Sequence, residues 1–237
     1  MDSLIVALDA PNIVEAGKIV SALGESVSYY KVGMELFYGA GREAIDFLKE
    51  RRKKIFLDLK LHDIPNTVGK SIEVLTGLGA NMINVHASGG REMMKQAASS
   101  AKRAAEKTDG KAPAMIAVTI LTSVDDAQWR ELNGAVSIGE QVLTLAILAQ
   151  DSGMDGVVAS PMEAAAIRKA CGDDFLIITP GIRRPEDCKN DQSRAATPKS
   201  AIEAGASHIV VGRPITAAGN PKEAAEKILS EIKEANA

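Results

Sequence analysis

Eight times along this chain a short apolar run, rich in β-branched residues, gives way to a longer segment with apolar residues three and four apart. The runs are LIVAL (4–8), SYYKVG (28–33), KIFLDL (54–59), NMINVH (81–86), AMIAVTI (114–120), MDGVVAS (154–160), FLIITP (175–180) and HIVVG (208–212). The segments between them, from VEAGKIVSAL to PKSAIEAGA, carry helical spacing, and a last helix fits NPKEAAEKILSEIKEAN, capped by Asn220 with Pro221 at its first position. Strands that read as continuous apolar runs are parallel strands covered on both faces. Eight strand–helix units in 237 residues predict an α/β chain folded as one (β/α)8 TIM barrel over residues 1–237. The competing fold, an open doubly wound sheet, calls for a GxGxxG after the first strand, and none is present.

Composition narrows the function classes. The net charge is −3, so no global basic field draws nucleic acid or an anionic membrane, and an anionic ligand needs a local site. No apolar stretch approaches the roughly 20 residues that span a bilayer. The N-terminus MDSLIVALD carries Asp2 and no basic region, unlike a secretory signal. Cys171 and Cys188 are far apart and form no CxxC, which suits a reducing, cytoplasmic compartment.

In such a barrel, chemistry sits at the C-terminal ends of the strands. Those ends carry Asp9, Lys31, Asp58 and Lys60, His86, then Thr119, Thr122 and Ser123, then Ser160, then Pro180 and Gly181 with Arg183 beyond, and last Gly212 and Arg213. Surfacing alone makes strand ends polar and accounts for Ser160 and for His86. It accounts poorly for charges that alternate with apolar residues in DLK. Side chains alternate along a strand, so Asp58 and Lys60 share one face and Lys31 on the neighbouring strand is within reach. A structural ion-pair network is the plain reading of that cluster. Burying several charges is costly, and an apolar replacement is often as stable, so chemistry is the better reason for it.

A second constellation follows the eighth strand, where Gly212 admits close backbone approach and Arg213 offers a fork of donors suited to a phosphate. The polar stretch 181–198 is long enough to be functional, and its Arg183, Gln192 and Arg194 are candidates to close over the same anion.

At strand 3 the run DLKLHDIPNT resembles the signature of the orotidine 5′-phosphate decarboxylases. The likeness extends through IVALD, YKVG, VTILTS, TPGIR, DQSR and VVGRPIT, in that order along the chain. It implies a barrel acting as a homodimer, without cofactor or metal, that converts orotidine 5′-monophosphate to UMP. It implies a charge array of Lys31, Asp58, Lys60 and Asp63, with Asp63 reaching into the neighbouring subunit's site. Asp9 and Lys31 would hold the ribose, Arg213 and Gln192 the phosphate, and Thr122 or Ser123 the pyrimidine. The implied substrate-binding set also takes in Leu59, Leu61, His62, Ile64, Pro65, Asn66, Thr67, Pro180, Arg183 and Gly212. The length leaves no room for an orotate phosphoribosyltransferase domain.

The implied chemistry suits the residues. Loss of CO2 from C6 leaves a poorly delocalised ring anion, and an ammonium about 4 Å away is worth roughly 4 kcal/mol at an effective dielectric of 20. Lys60 then supplies the proton. Three other readings compete. Hexulose-phosphate synthases and keto-gulonate-phosphate decarboxylases share an Asp-x-Lys-x-x-Asp pattern but use Mg²⁺ and an acidic residue where this chain has Lys31. A Schiff-base aldolase would use Lys60 as nucleophile, which flanking aspartates disfavour. A catalytically dead barrel would bind a nucleotide or a partner only, and the intact set of charged strand ends argues against it.

Overall fold

The computed structural model describes residues 3–107, 110–132, 134–182 and 196–235. Eight strands pair in chain order, all parallel, and β8 returns to β1 to close the barrel. They are β1 (Leu4–Leu8), β2 (Tyr29–Gly33), β3 (Lys54–Leu61), β4 (Met82–His86), β5 (Ala114–Val118), β6 (Gly156–Val158), β7 (Leu176–Thr179) and β8 (His208–Val211). Among the described residues the helices are α1 (Ile13–Leu23), α2 (Met34–Ala40), α3 (Arg42–Glu50), α4 (Pro65–Gly77), α5 (Gly90–Glu106), α6 (Asp126–Glu131), α7 (Ile138–Asp151), α8 (Ala164–Cys171), α9 (Pro198–Glu203), α10 (Arg213–Thr216) and α11 (Pro221–Ala235). No helix among these residues is long and apolar enough to cross a membrane.

Period-two alternation sorts the strand residues into two cores. Ile5, Phe56, Ile116 and Ile178, one from each odd strand, pack inside the barrel with Ala7, Tyr29, Met82 and Val210. Their neighbours Leu4, Val6, Ile55, Leu57, Leu59, Ile83, Val85 and Ala117 face outward and join the larger core beneath the helices. The inward parity, followed to the strand ends, carries Asp9, Lys31, Asp58, Lys60, Asn84 and His86.

The other end of the barrel is closed by side chains that bond to backbone. Asn81 Oδ1 accepts from the Ile55 N–H at 2.9 Å, Asp155 Oδ2 from Met115 N–H at 2.7 Å, and Ser207 Oγ from Ile177 N–H at 3.1 Å. Each acceptor stands just before an even strand and takes the first free N–H of the odd strand beside it. In the reverse direction the backbone N–H of the same three residues donates to the carbonyls of Ile55, Met115 and Ile177. In sequence these residues do not stand out, because a single Asn, Asp or Ser before a strand looks like an ordinary turn former.

Three helices depart from the sequence reading. α2, α6 and α10 are short, and none shows enough turns for a helical period to emerge. The strand expected over 154–160 is regular only at Gly156–Val158, since Asp155 is occupied by the clasp and Ser160 Oγ accepts from the Met162 N–H in a local turn.

Asp155→Ala leaves the buried Met115 N–H without its acceptor, which costs about 1–3 kcal/mol. Thermal unfolding should show the melting temperature lowered by several degrees, while turnover of the folded protein stays unchanged. An unaltered melting temperature refutes the clasp.

Candidate active site

Lys31 is positioned by register. β2 pairs with β3 so that Lys31 lies opposite Phe56 and Gly33 opposite Asp58. A Cβ on Gly33 would come within 2.9 Å of Lys31 Nζ, so the glycine gives the ammonium its room. That ammonium bonds to Asp9 Oδ1 at 3.1 Å and lies 3.3 Å from Asp58 Oδ2. Lys60 Nζ donates to the other carboxylate oxygen, Asp58 Oδ1, at 2.6 Å. One carboxylate thus holds two ammonium groups, one on each oxygen.

Asp58 is 9% exposed. Burial opposes its charge, but Lys31, Lys60 and the hydrogen bonds from Lys60 and Asn84 outweigh that and hold the carboxyl below the usual carboxylate range. His86 is shifted down, first by burial and then by its neighbours His62 and Lys60, with Asp58 acting against them. Its ring lies 5.5 Å from that of His62.

β3 is irregular where the lysine sits. Leu57 pairs with Ile83, but the next pairing is Leu61 with Val85, so four steps on β3 match two on β4. Lys60 takes a φ of 51°, and among the described residues only Arg52 shares a positive φ without being glycine. A non-glycine residue in this region costs on the order of 1–3 kcal/mol and persists only where its surroundings enforce it. Asn84 enforces it here. The residue is fully buried, its Oδ1 accepts from the Lys60 N–H at 2.8 Å, and its Nδ2 donates to Asp58 Oδ1 at 2.7 Å. The sequence reading missed Asn84, which looks like one more polar residue near a strand end. The usable signal is its inward parity, shared with Met82 and His86.

Lys31, Asp58 and Lys60 line a cavity of about 230 Å³ with Thr122, Ser123 and Pro180, against an apolar wall that includes Phe56, Val118, Ile178 and Val210. Beside it, sharing Val210, a second cavity of about 400 Å³ is lined by Asp9, Gly181, Gly212 and Arg213. The Arg213 guanidinium is exposed and bonds to no other described residue. A larger cavity, about 810 Å³, opens at the strand starts around Asn81, Asp155 and His208. Two of those residues are engaged in the clasps, and the charged array is at the opposite end.

Other candidates are not gathered into the cavity within one chain. Leu59 packs outward into the helix-covered core. Leu61 is half-buried beside that core. His62, Asp63, Ile64, Pro65, Asn66 and Thr67 are exposed where α4 begins. Among the described residues, Asp63 Oδ1 accepts from the adjacent Ile64 N–H. Thr119 is occupied elsewhere, its hydroxyl donating to the Val158 carbonyl. Arg183, Gln192, Arg194 and Cys188 lie outside the described residues. Among the described residues no group of three or more His, Cys, Asp or Glu is placed to hold a metal ion.

The family model "Orotidine 5′-phosphate decarboxylase / HUMPS family" matches residues 2–228. The orotidine 5′-phosphate decarboxylase of Moorella thermoacetica is 47% identical over 98% of this chain and 92% of its own length. The crystal structure of orotidine 5′-phosphate decarboxylase from Lactobacillus acidophilus superposes with a TM-score of 0.87 at 46% identity, covering 98% of this chain and 99% of that one. The corresponding structure from Pyrococcus horikoshii OT3 gives 0.76 at 29% identity, covering 97% and 99%. With the match running through both the charged strand ends and the Gly212–Arg213 turn, the chain belongs to the orotidine 5′-phosphate decarboxylase / HUMPS family.

Proposed function

We propose that this chain decarboxylates orotidine 5′-monophosphate to UMP and CO2, completing UMP synthesis, without metal or organic cofactor. The observation that carries the reading is Asp58, a buried carboxylate holding Lys31 and Lys60 at the wall of an apolar cavity. The bond from C6 to the carboxylate carbon breaks, and its electron pair stays on C6. Lys60 faces that charge as it develops and gives up a proton to form the C6–H bond, and solvent then restores the proton to the lysine. The apolar wall keeps water away and strengthens the attraction. Asp9 and Lys31 hold the ribose hydroxyls, Thr122 or Ser123 the pyrimidine edge, and Arg213 the phosphate, joined there by Arg183 and Gln192.

Lys31 favours this reading over the metal-dependent branch of the family. Its ammonium lies between the Asp9 and Asp58 carboxylates, where a divalent cation would need to sit.

The active form is a homodimer. Asp63 to Thr67 are exposed in the single chain, and the Ile64 side chain among them is apolar. These properties fit a segment that enters the cavity of a second copy, with Asp63 completing the array from across the interface.

The direct test follows loss of the orotate chromophore with and without EDTA. Turnover should proceed equally in both, and EDTA inhibition reversed by Mg²⁺ sinks the metal-free reading. In the same assay Lys60→Ala should be inactive yet bind UMP. Lys60→Gly, also inactive, should be more stable than Lys60→Ala by about 1 kcal/mol, because glycine tolerates the positive φ.

Arg213→Ala should raise KM for orotidine monophosphate steeply and lower kcat/KM by about 1.5–3 kcal/mol or more of transition-state stabilisation. The nucleoside orotidine, lacking the phosphate, should be little affected. Equal damage to both substrates places the phosphate site elsewhere.

Lys60→Ala and Asp63→Ala should complement each other after mild dissociation and reassociation. Random pairing makes half the dimers mixed, each with one intact site, so about a quarter of wild-type activity returns. Shared inactivity with mixed dimers present rules out action across the interface.

A further inference from the structure

We propose that Asn84 is a positioning residue for the reaction, fixing both the proton-donating lysine and the carboxylate that aims it. The inference rests on the decarboxylase reading above and extends it to a residue outside the charged array.

The extra residues in β3 take Lys60 out of register with β4, so its N–H has no carbonyl to meet in the ladder. Asn84 Oδ1 takes the place of that carbonyl at 2.8 Å. The other end of the same amide donates to Asp58 Oδ1 at 2.7 Å. The orientation of the amide is forced, since the Lys60 N–H can only donate and the Asp58 carboxylate, ionised, can only accept. One buried side chain therefore sets two things. It holds the Lys60 backbone at a φ that an L-residue otherwise leaves, and it fixes the rotation of the Asp58 carboxylate so that Oδ1 serves Lys60 and Oδ2 faces Lys31. Asp would set a like charge against Asp58. Leu would leave the Lys60 N–H and one carboxylate position unpaired. Asn84 does not line the cavity, so it acts on the reaction only through the two groups it holds.

The test compares wild type with Asn84→Leu, close in size but without either bond, and Asn84→Ser, smaller and polar but too short to make both. Steady-state kinetics with orotidine monophosphate is read alongside the dissociation constant for UMP and the melting temperature. A displacement near 1 Å at a catalytic group costs on the order of 100-fold, so kcat should fall about that far in both variants. UMP affinity should stay within about threefold, because the phosphate end is untouched. A folded variant that keeps kcat within threefold of wild type, whatever its melting temperature, overturns the proposal and leaves Asn84 a stabilising residue only. Should neither variant fold, hydrogen exchange on the wild type decides: the Lys60 amide should exchange as slowly as its strand neighbours, and fast exchange overturns the bond on which the proposal stands. A wild-type chain that does not decarboxylate orotidine monophosphate is a separate outcome, which removes the underlying reading and this inference with it.

Discussion

The upper half of this barrel depends on keeping the Asp58 carboxylate ionised where water scarcely reaches it. A buried anion is tolerated only when charge and hydrogen bonds replace its hydration. Lys60 and Asn84 meet one oxygen and Lys31 the other. Each partner is delivered by a different feature: Lys31 by the register of β2 on β3, Lys60 by the irregularity in β3, and Asn84 by the inward parity of β4. Removing any one leaves charge or polarity stranded, which is why the four residues form one unit. Because its carboxyl is held below the usual range, Asp58 binds fewer protons folded than unfolded. Its contribution to stability is therefore present above the unfolded value of about 3.9 and is lost as the pH falls below it.

The barrel separates stability from chemistry along its axis. At the strand starts, Asn81, Asp155 and Ser207 satisfy backbone N–H groups of the neighbouring strands. The middle is filled by Ile5, Phe56, Ile116 and Ile178. At the strand ends the chain keeps features that cost stability, namely half-buried lysines and a left-handed Lys60. The filled interior and the clasps hold the ends in place, and the strained site depends on that support.

Which parts of this were legible in the sequence follows from how local each signal is. The eight strands were, because a parallel strand covered on both faces is a continuous apolar run, and IFLDL and HIVVG could be little else. The shared face of Asp58 and Lys60 was legible from their spacing of two. The φ of Lys60 was not, since nothing local marks a lysine as left-handed; it follows from a slip against β4, a strand more than 20 residues on. Asn84 was hidden for the same reason: its importance lies in two partners on another strand, and within NMINVH it is one polar residue among others. The exposure of Asp63 to Thr67 is also non-local, being incomplete without a second copy in the proposed assembly.

In the proposed reaction these geometric details matter more than the amount of charge. Within one chain the array is balanced, with Lys31 and Lys60 against Asp9 and Asp58. The substrate brings a carboxylate, and when CO2 leaves, the same single negative charge remains, moved from the carboxylate to C6. The site's net charge does not change between ground state and carbanion. A protein can favour the second over the first only by having its positive charge nearer C6 than the carboxylate and its negative charge nearer the carboxylate than C6. That distinction spans little more than a bond length, and a flexible lysine beside a freely rotating carboxylate would blur it. A lysine with its backbone pinned, and a carboxylate with each oxygen assigned a partner, preserve it.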